Sequence, residues 1–273
     1  MEYIFFIMES REFKKLCRIA GETCVKYRLI NDGDRLLVGL SGGKDSFMLM
    51  HLLEHLAAHA PVRFTFEAAT FDPGFEDFNV EKISGYCRKY NWKHHVVKMN
   101  IPEIIREKNM SSAPCVLCSR LRRGKLYGLA NSLQCNKLAL GQHLDDVINS
   151  FFMSVCRGQG ITSMAPKVRP QDPTHPTVIR PLALVPESLI KECAAAFAFP
   201  EKTGYCRYEN TVRSGDRAAF AGLVGELAQK IPGLRENIAH SLTRVELDHL
   251  LIEPDQTSGP SRKFTASGNC RKW

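Results

Sequence analysis

The chain has 273 residues, a formal charge of +8 and 44% hydrophobic residues. That suits a soluble globular protein with a full core and excludes a collagen-like, low-complexity or wholly disordered chain. Ten cysteines are too dilute for a secreted disulfide scaffold, so they read as cytosolic thiols, a few of them ligands or reactive groups.

The opening apolar run, residues 3–8, is too short to span a bilayer and lacks the basic lead-in of a secretory signal. No membrane partner is expected, the expected compartment is the cytoplasm, and Met8 competes with Met1 as the start. Residues 10–30 read as a helix with a stripe of Phe13, Leu16, Ile19 or Ala20, and Val25. A turn follows at Asn31-Asp32-Gly33-Asp34. Leu36, Leu37, Val38 and Leu40 read as a buried strand, and residues 46–59 as a helix apolar nearly all round, which predicts burial against a sheet. Residues 62–69 make a second strand with a terminal loop at 71–75, residues 76–90 a helix and residues 94–99 a third strand. A long loop over 100–114 then delivers Cys115. The helix after Cys118 carries Leu121, Leu126, Leu129, Ala130 and Leu133. Residues 137–140 form a fourth strand, followed by a helix striped with Leu144, Val147, Ile148, Phe151, Phe152 and Val155. Residues 158–176 read as loop, 178–182 as a fifth strand and 187–197 as a helix. Residues 200–214 are irregular, and two helices carry Phe220, Leu223, Val224 and Leu227, then Leu234, Ile238, Leu242 and Val245. Beyond Pro254 the composition is that of a disordered tail. Strands alternating with helices predict crossover units and a parallel sheet, whose ligands bind at the carboxyl ends of the strands.

Three segments fall at such ends. The first is Ser41-Gly42-Gly43-Lys44-Asp45-Ser46, between strand and helix. A glycine turn lets backbone approach a ligand, and the open N–H groups and dipole of the helix start favour an anion. Lys44 adds a mobile positive charge, and Asp45 could hold Mg²⁺ against phosphate oxygens. The common P-loop ends Gly-Lys-Ser/Thr, whereas here an aspartate follows the lysine. The SGGxDS pattern resembles instead the ATP-pyrophosphatase, or PP-loop, family, whose members split ATP into AMP and pyrophosphate. The other two segments are Phe71-Asp72-Pro73-Gly74-Phe75 and Gly141-Gln142-His143-Leu144-Asp145-Asp146.

A second constellation is Cys115-Val116-Leu117-Cys118, at a helix start and followed by Arg120, Arg122, Arg123 and Lys125. Two cysteines at this spacing can chelate one metal centre, and the helix start and arginines favour thiolate. A zinc ribbon needs a second such pair, and the remaining cysteines are single. Cys206 is the best third ligand, because Thr203-Gly204-Tyr205-Cys206 is irregular and can bend to a metal. Cys17, Cys24, Cys87, Cys135, Cys156 and Cys193 read as core or surface thiols, and Cys270 lies in the tail. Closing the loop of roughly 88 residues between Cys118 and Cys206 costs about 4 kcal/mol of chain entropy, against about 10 kcal/mol or more returned by a metal site.

SGGKDS, the Asp72-Pro73-Gly74-Phe75 loop, the cysteine segment and Gly141-Gln142-His143-Leu144-Asp145-Asp146, in that order, resemble the tRNA 2-thiocytidine biosynthesis (TtcA-type) family. The likeness covers about residues 34–250. It implies an α/β fold of the PP-loop, adenine nucleotide alpha hydrolase-like kind: three layers, an open parallel sheet with helices on both faces, an N-terminal helix and a C-terminal helical addition. The corresponding division is 1–33, 34–200, 201–253 and a tail at 254–273. The resemblance further implies a 4Fe-4S cluster on Cys115, Cys118 and Cys206, with one iron open for chemistry. Two departures from the family are Thr203, where a further cysteine often stands, and Gln142-His143 in place of His-His.

The implied reaction adenylates the C2 carbonyl of an anticodon-loop cytidine, position 32, and replaces its oxygen with sulfur. Ser41, Gly42, Gly43, Lys44, Asp45, Ser46, Asp72, Gly141 and His143 would bind ATP. Lys44, Asp45 and Asp146 would be catalytic, the two aspartates holding Mg²⁺, while Asp145 serves either the metal or the helix dipole. Arg120, Arg122, Arg123, Lys125, Arg207 and Arg213 would meet tRNA phosphates, although each alone is equally a solvated helix face. Sulfur would come from a cysteine desulfurase or another donor, as sulfide on the open iron or as a cysteine persulfide; cluster and zinc, and monomer and homodimer, stay open. Competing readings are a thiouridine- or lysidine-type PP-loop enzyme, and a catalytically silent cluster-bearing RNA-binding protein.

Overall fold

The structure, a computed structural model, describes residues 9–108, 114–201, 216–246 and 249–251. Helix α1 (Arg11–Tyr27) opens on Ser10, whose hydroxyl accepts from Phe13 N at 3.2 Å, and stops where Arg28 turns left-handed (φ 49°). It is therefore shorter than the 10–30 stretch, and its buried stripe is Phe13, Leu16, Cys17, Ala20 and Cys24, with Val25 79% exposed. Strand β1 (Arg35–Gly39) leads through the Gly42-Gly43 turn into α2 (Lys44–His59). Ser46 to Leu53 are buried without a break, so the two turns after Asp45 are enclosed on all sides, each large apolar side chain contributing about 1.5–3 kcal/mol.

Strand β2 (Thr65–Asp72) runs further than its composition suggests. Phe71 and Asp72 stay in the ladder, opposite Val97 and Lys98 of β3 (His94–Lys98), so they close the strand and do not belong to the loop after it. Between these strands α3 (Val80–Lys89) starts late, where Asn79 Oδ1 accepts from Lys82 N. The stretch 100–114, read as loop, contains α4 (Ile101–Glu107), capped by Asn100 with proline in the first turn. Helix α5 (Pro114–Ser132), strand β4 (Lys137–Ala139) and helix α6 (Leu144–Cys156) follow. On α6 the stripe is narrower than its letters, because Val155 is 46% exposed. A short β5 (Lys167–Val168) interrupts the next loop, β6 (Thr177–Ile179) replaces the longer fifth strand, and α7 (Glu187–Ala196), α8 (Asp216–Lys230) and α9 (Leu234–Ser241) complete the described chain.

The six strands lie in the order β3-β2-β1-β4-β6-β5, parallel except for β5. Alternation along each strand fills two cores. Leu36, Val38, Ala68, Ala139 and Ile179 face α1, α2, α3 and α7, whereas Leu37, Ala69, Leu138 and Val178 face Leu126 and Ala130 of α5. A smaller cluster joins Leu144 and Ile148 of α6 to Val224 of α8 and Ile238 of α9. The fold is thus the expected three-layer α/β sheet. Burial pushes the thiols of Cys17, Cys24 and Cys193 up to about 12, which fits their place in the packed layers. No helix among the described residues is long and apolar enough to cross a membrane.

The strand order reverses between β1 and β4: β2 and β3 extend to one side, β6 and β5 to the other. A crevice opens at such a switch point outside the carboxyl ends. The turn after β1 and the turn after β4 are its two lips.

Candidate functional site

The turn after β1 is held by its own hydroxyls. Ser46 Oγ donates to Gly43 O at 2.8 Å and accepts from Ser41 N at 3.2 Å, while Gly43 N donates to Ser41 Oγ at 3.4 Å. Gly42 sits at φ 82°, a conformation that calls for glycine, and a Cβ there would lie 2.8 Å from Ile83 Cδ1 and have to displace it. Gly43 caps α2 with extended backbone and no side-chain bond. The helix start is therefore open at the crevice, an arrangement that favours an anion. On the other lip, a Cβ on Gly141 would come within 3.0 Å of Asp45 O and 3.2 Å of Ser46 N, so a bare backbone is what lets the two turns meet.

Charged groups cluster at this contact. Lys44 Nζ lies 2.9 Å from Asp45 Oδ1 and 2.9 Å from Glu187 Oε1. Burial works against the Lys44 charge, but the two carboxylates outweigh it and raise its pKa. Burial likewise pushes Glu187 up, and bonds from Lys191 and Lys44 more than reverse this, holding its carboxyl down at about 2. His143 caps α6, its N–H donating to Asp146 Oδ2 at 3.2 Å. Its Nε2 lies 4.0 Å from Asp45 Oδ1 and 3.6 Å from Asp146 Oδ2, so both carboxylates approach one buried ring. Asp145 Oδ2 also lies 3.9 Å from His143, on the Nδ1 side, but its hydrogen bonds go elsewhere: Oδ2 accepts from Glu187 N at 2.8 Å and Oδ1 from Arg235 Nε at 2.6 Å. Of the two adjacent acids, Asp146 is therefore the one that shares the Nε2 side of His143 with Asp45.

Asp45 Oδ1 is shielded from solvent and has no hydrogen-bond partner; Lys44 Nζ lies at ion-pair distance from it but donates its hydrogen bond to the other oxygen, Oδ2, at 3.2 Å. An orphaned carboxylate oxygen beside a second carboxylate fits a hard cation. Magnesium on a nucleotide needs only one or two such ligands, the phosphates and water supplying the rest. Accordingly, no group of three His, Cys, Asp or Glu side chains among the described residues is set to hold a metal alone.

Cys115 and Cys118 occupy the first turn of α5 and keep partial exposure. Cys118 packs beside Phe71, Ile101, Ile105 and Leu117. Since Phe71 is the next-to-last residue of β2, this apolar cluster fixes Cys118, and with it the start of α5, to the same sheet edge as Lys44. Asp72, the last residue of β2, accepts from Gly74 N at 2.9 Å. Arg120, Arg122, Arg123 and Lys125 are all exposed on α5. Cys206, Arg207 and Arg213 lie outside the described residues. Two thiolates at helical spacing are a soft donor pair that suits an iron–sulfur centre or zinc and need at least one further ligand.

Three charged residues at this edge carried no signal in the sequence. Glu187 looks like an ordinary first-turn acid, Arg235 like a solvated helix residue, and Arg180 like the middle of a strand. Arg180 Nε donates to Gln142 Oε1 at 3.0 Å and Nη1 to Ala165 O at 2.7 Å, bracing the β4 lip from the β6 side.

Comparison with known proteins agrees with this geometry. A PP-loop domain model matches residues 11–200. A tRNA-cytidine(32) 2-sulfurtransferase of Syntrophotalea carbinolica is 37% identical over 90% of this chain and 94% of its own. One from Geobacter sulfurreducens is 36% identical over 92% and 96%. Among solved structures, the U34-tRNA thiolase NcsA from Methanococcus maripaludis with its 4Fe-4S cluster superposes with a TM-score of 0.69 at 21% identity, covering 88% of this chain and 80% of that one. At that identity the likeness is one of fold.

Proposed function

The chain belongs to the PP-loop family and, within it, to the tRNA-cytidine(32) 2-sulfurtransferases, and from that membership we infer that it thiolates C2 of cytidine 32 in tRNA at the expense of ATP. A carbonyl oxygen is a poor leaving group. The C2 oxygen attacks the α-phosphorus of ATP, pyrophosphate departs, and the base carries an AMP ester. A sulfur nucleophile then adds at C2, the C–O bond breaks, and AMP leaves with the oxygen.

In this reading the Ser41–Ser46 turn and the start of α2 take the ATP phosphates. Lys44 meets the charge that develops on pyrophosphate, a preorganised electrostatic contribution of the kind that usually dominates. Asp45 and Asp146 would hold Mg²⁺. His143 stands between them, Gly141 keeps the lips together, and Asp72 borders the base or adenine side. Cys115, Cys118 and Cys206 would hold a 4Fe-4S cluster. When bound, the cluster supplies the sulfur-delivering centre, replenished by a cysteine desulfurase or another donor. Arg120, Arg122, Arg123 and Lys125, with Arg207 and Arg213, present positive charge to the anticodon arm, whose unpaired loop can offer an unstacked base. The catalytic unit is residues 34–200, completed by 201–253.

One observation carries this reading: the Lys44, Asp45 and Asp146 cluster and the Cys115–Cys118 pair are anchored at one edge of one sheet. The test is release of pyrophosphate from ATP by anaerobically purified protein. Release is expected to require tRNA and to be lost in K44A, and the protein is expected to be brown. RNA-independent turnover, or a colourless protein, overturns the reading.

A further inference from the structure

We propose that Glu187 is a positioning residue for Lys44, held in place by Lys191. Its carboxylate is a bridge: Oε1 lies 2.9 Å from Lys44 Nζ, and Oε2 lies 2.9 Å from Lys191 Nζ. The contact spans 143 positions of sequence and joins the first residue of α7 to the first residue of α2. The backbone of Glu187 is fixed independently, because its N–H donates to Asp145 Oδ2 at 2.8 Å. The side chain thus starts from a pinned main chain and is stretched between two ammonium groups.

A lysine ammonium has three donors on a flexible stem. Asp45 and Glu187 engage two of them, so the third has a defined direction. Without Glu187 the ammonium could pivot about Asp45 and meet the departing pyrophosphate in many orientations. With it, one donor is preset, which is the condition under which a charge lowers a barrier rather than only strengthening binding. Lys191 prevents the carboxylate from collapsing onto Lys44 alone. It is an exposed lysine one helical turn away on α7, a position that fold stability alone would leave indifferent.

The inference rests on Lys44 acting on ATP, as argued above, and its test separates the two. Pyrophosphate release under saturating MgATP and tRNA, the Kd for MgATP and the melting temperature are measured for wild type, K44A, E187Q, K191A and K44A/E187Q. Glutamine keeps the shape and an acceptor oxygen but removes the charge. In E187Q the rate is expected to fall about tenfold or more, the scale of a lost charge-assisted hydrogen bond, without weaker MgATP binding. K191A is expected to lose a smaller factor in rate at unchanged melting temperature. On the K44A background E187Q is expected to cost nothing further, because a residue acting only through Lys44 has nothing left to act on. A further drop in the double variant, a full rate in E187Q, or a loss confined to MgATP binding overturns the positioning role. A K44A protein that turns over like wild type removes the underlying reading and the inference with it.

Discussion

At the scale of single residues, the edge of the sheet sorts two adjacent aspartates into different work. Asp145 and Asp146 are equivalent as letters, both in the first turn of a helix where acids are favoured. The fold separates them by what it brings from elsewhere: Arg235 from α9 and the N–H of Glu187 from α7 both bond Asp145, and Asp146 is left, with Asp45, against His143 Nε2. D145A removes an acceptor for a helix start and leaves Arg235 without its carboxylate. It is expected to destabilise the protein by about 1–3 kcal/mol, read as a lower denaturation midpoint. D146A is expected to keep most of the stability and lose MgATP turnover. Equal stability for D145A and wild type would show that Asp145 is not the structural member of the pair. The glycines, Lys44 and the Cys-x-x-Cys pair were legible in the sequence because each sits in a short contiguous pattern. Glu187 and Arg235 were not, since their meaning depends on partners 143 and 90 positions away.

At the scale of elements, the strands and helices were largely readable from alternation and periodicity, and the errors share a cause. Phe71 and Asp72 follow a strand pattern and precede Pro73-Gly74, so they look like loop; the parallel partner β3 extends the ladder to include them. That extension matters, because it is Phe71 that packs the cysteine-bearing turn of α5. Likewise α4 is too short to show a period and is recognisable only from its Asn100 cap and early proline. The β2–β3 pair also carries a titration. His94 Nε2 lies 2.8 Å from Thr70 Oγ1 and Nδ1 lies 3.2 Å from Ser84 Oγ. Thr70 in turn donates to Leu40 O, just before the Ser41 turn. Burial first, then the neighbouring His95 and Arg88 charges, lowers His94 from 6.5 to about 4. Between those values the unfolded chain binds a proton that the folded one refuses, so stability rises with pH across the window. It is fully present above 6.5 and declines as pH falls toward 4. H94Q should flatten this part of a stability-versus-pH curve measured by denaturant titration. An unchanged slope would place the titrating group elsewhere.

At the scale of the whole molecule, one topological fact organises the chemistry: the sheet changes direction between β1 and β4, and the lips of that crevice carry Lys44, Asp45 and Asp146. Helix α5 runs back along the opposite face from α2, placing its first turn at the same edge and its exposed Arg120, Arg122, Arg123 and Lys125 outward. The helices α8 and α9 dock on α6 and reach the crevice through Arg235. On the proposed reading, activation of a base oxygen and delivery of sulfur would serve one flipped nucleotide without its leaving the surface. The most direct measurement is mass spectrometry of tRNA nucleosides from cells lacking this gene, complemented with wild type, K44A, C118A or C206A. The account predicts that 2-thiocytidine is absent in the deletion, returns with wild type and fails to return with any of the three variants. Undiminished 2-thiocytidine in the deletion strain, or its recovery with K44A, C118A or C206A, would contradict it.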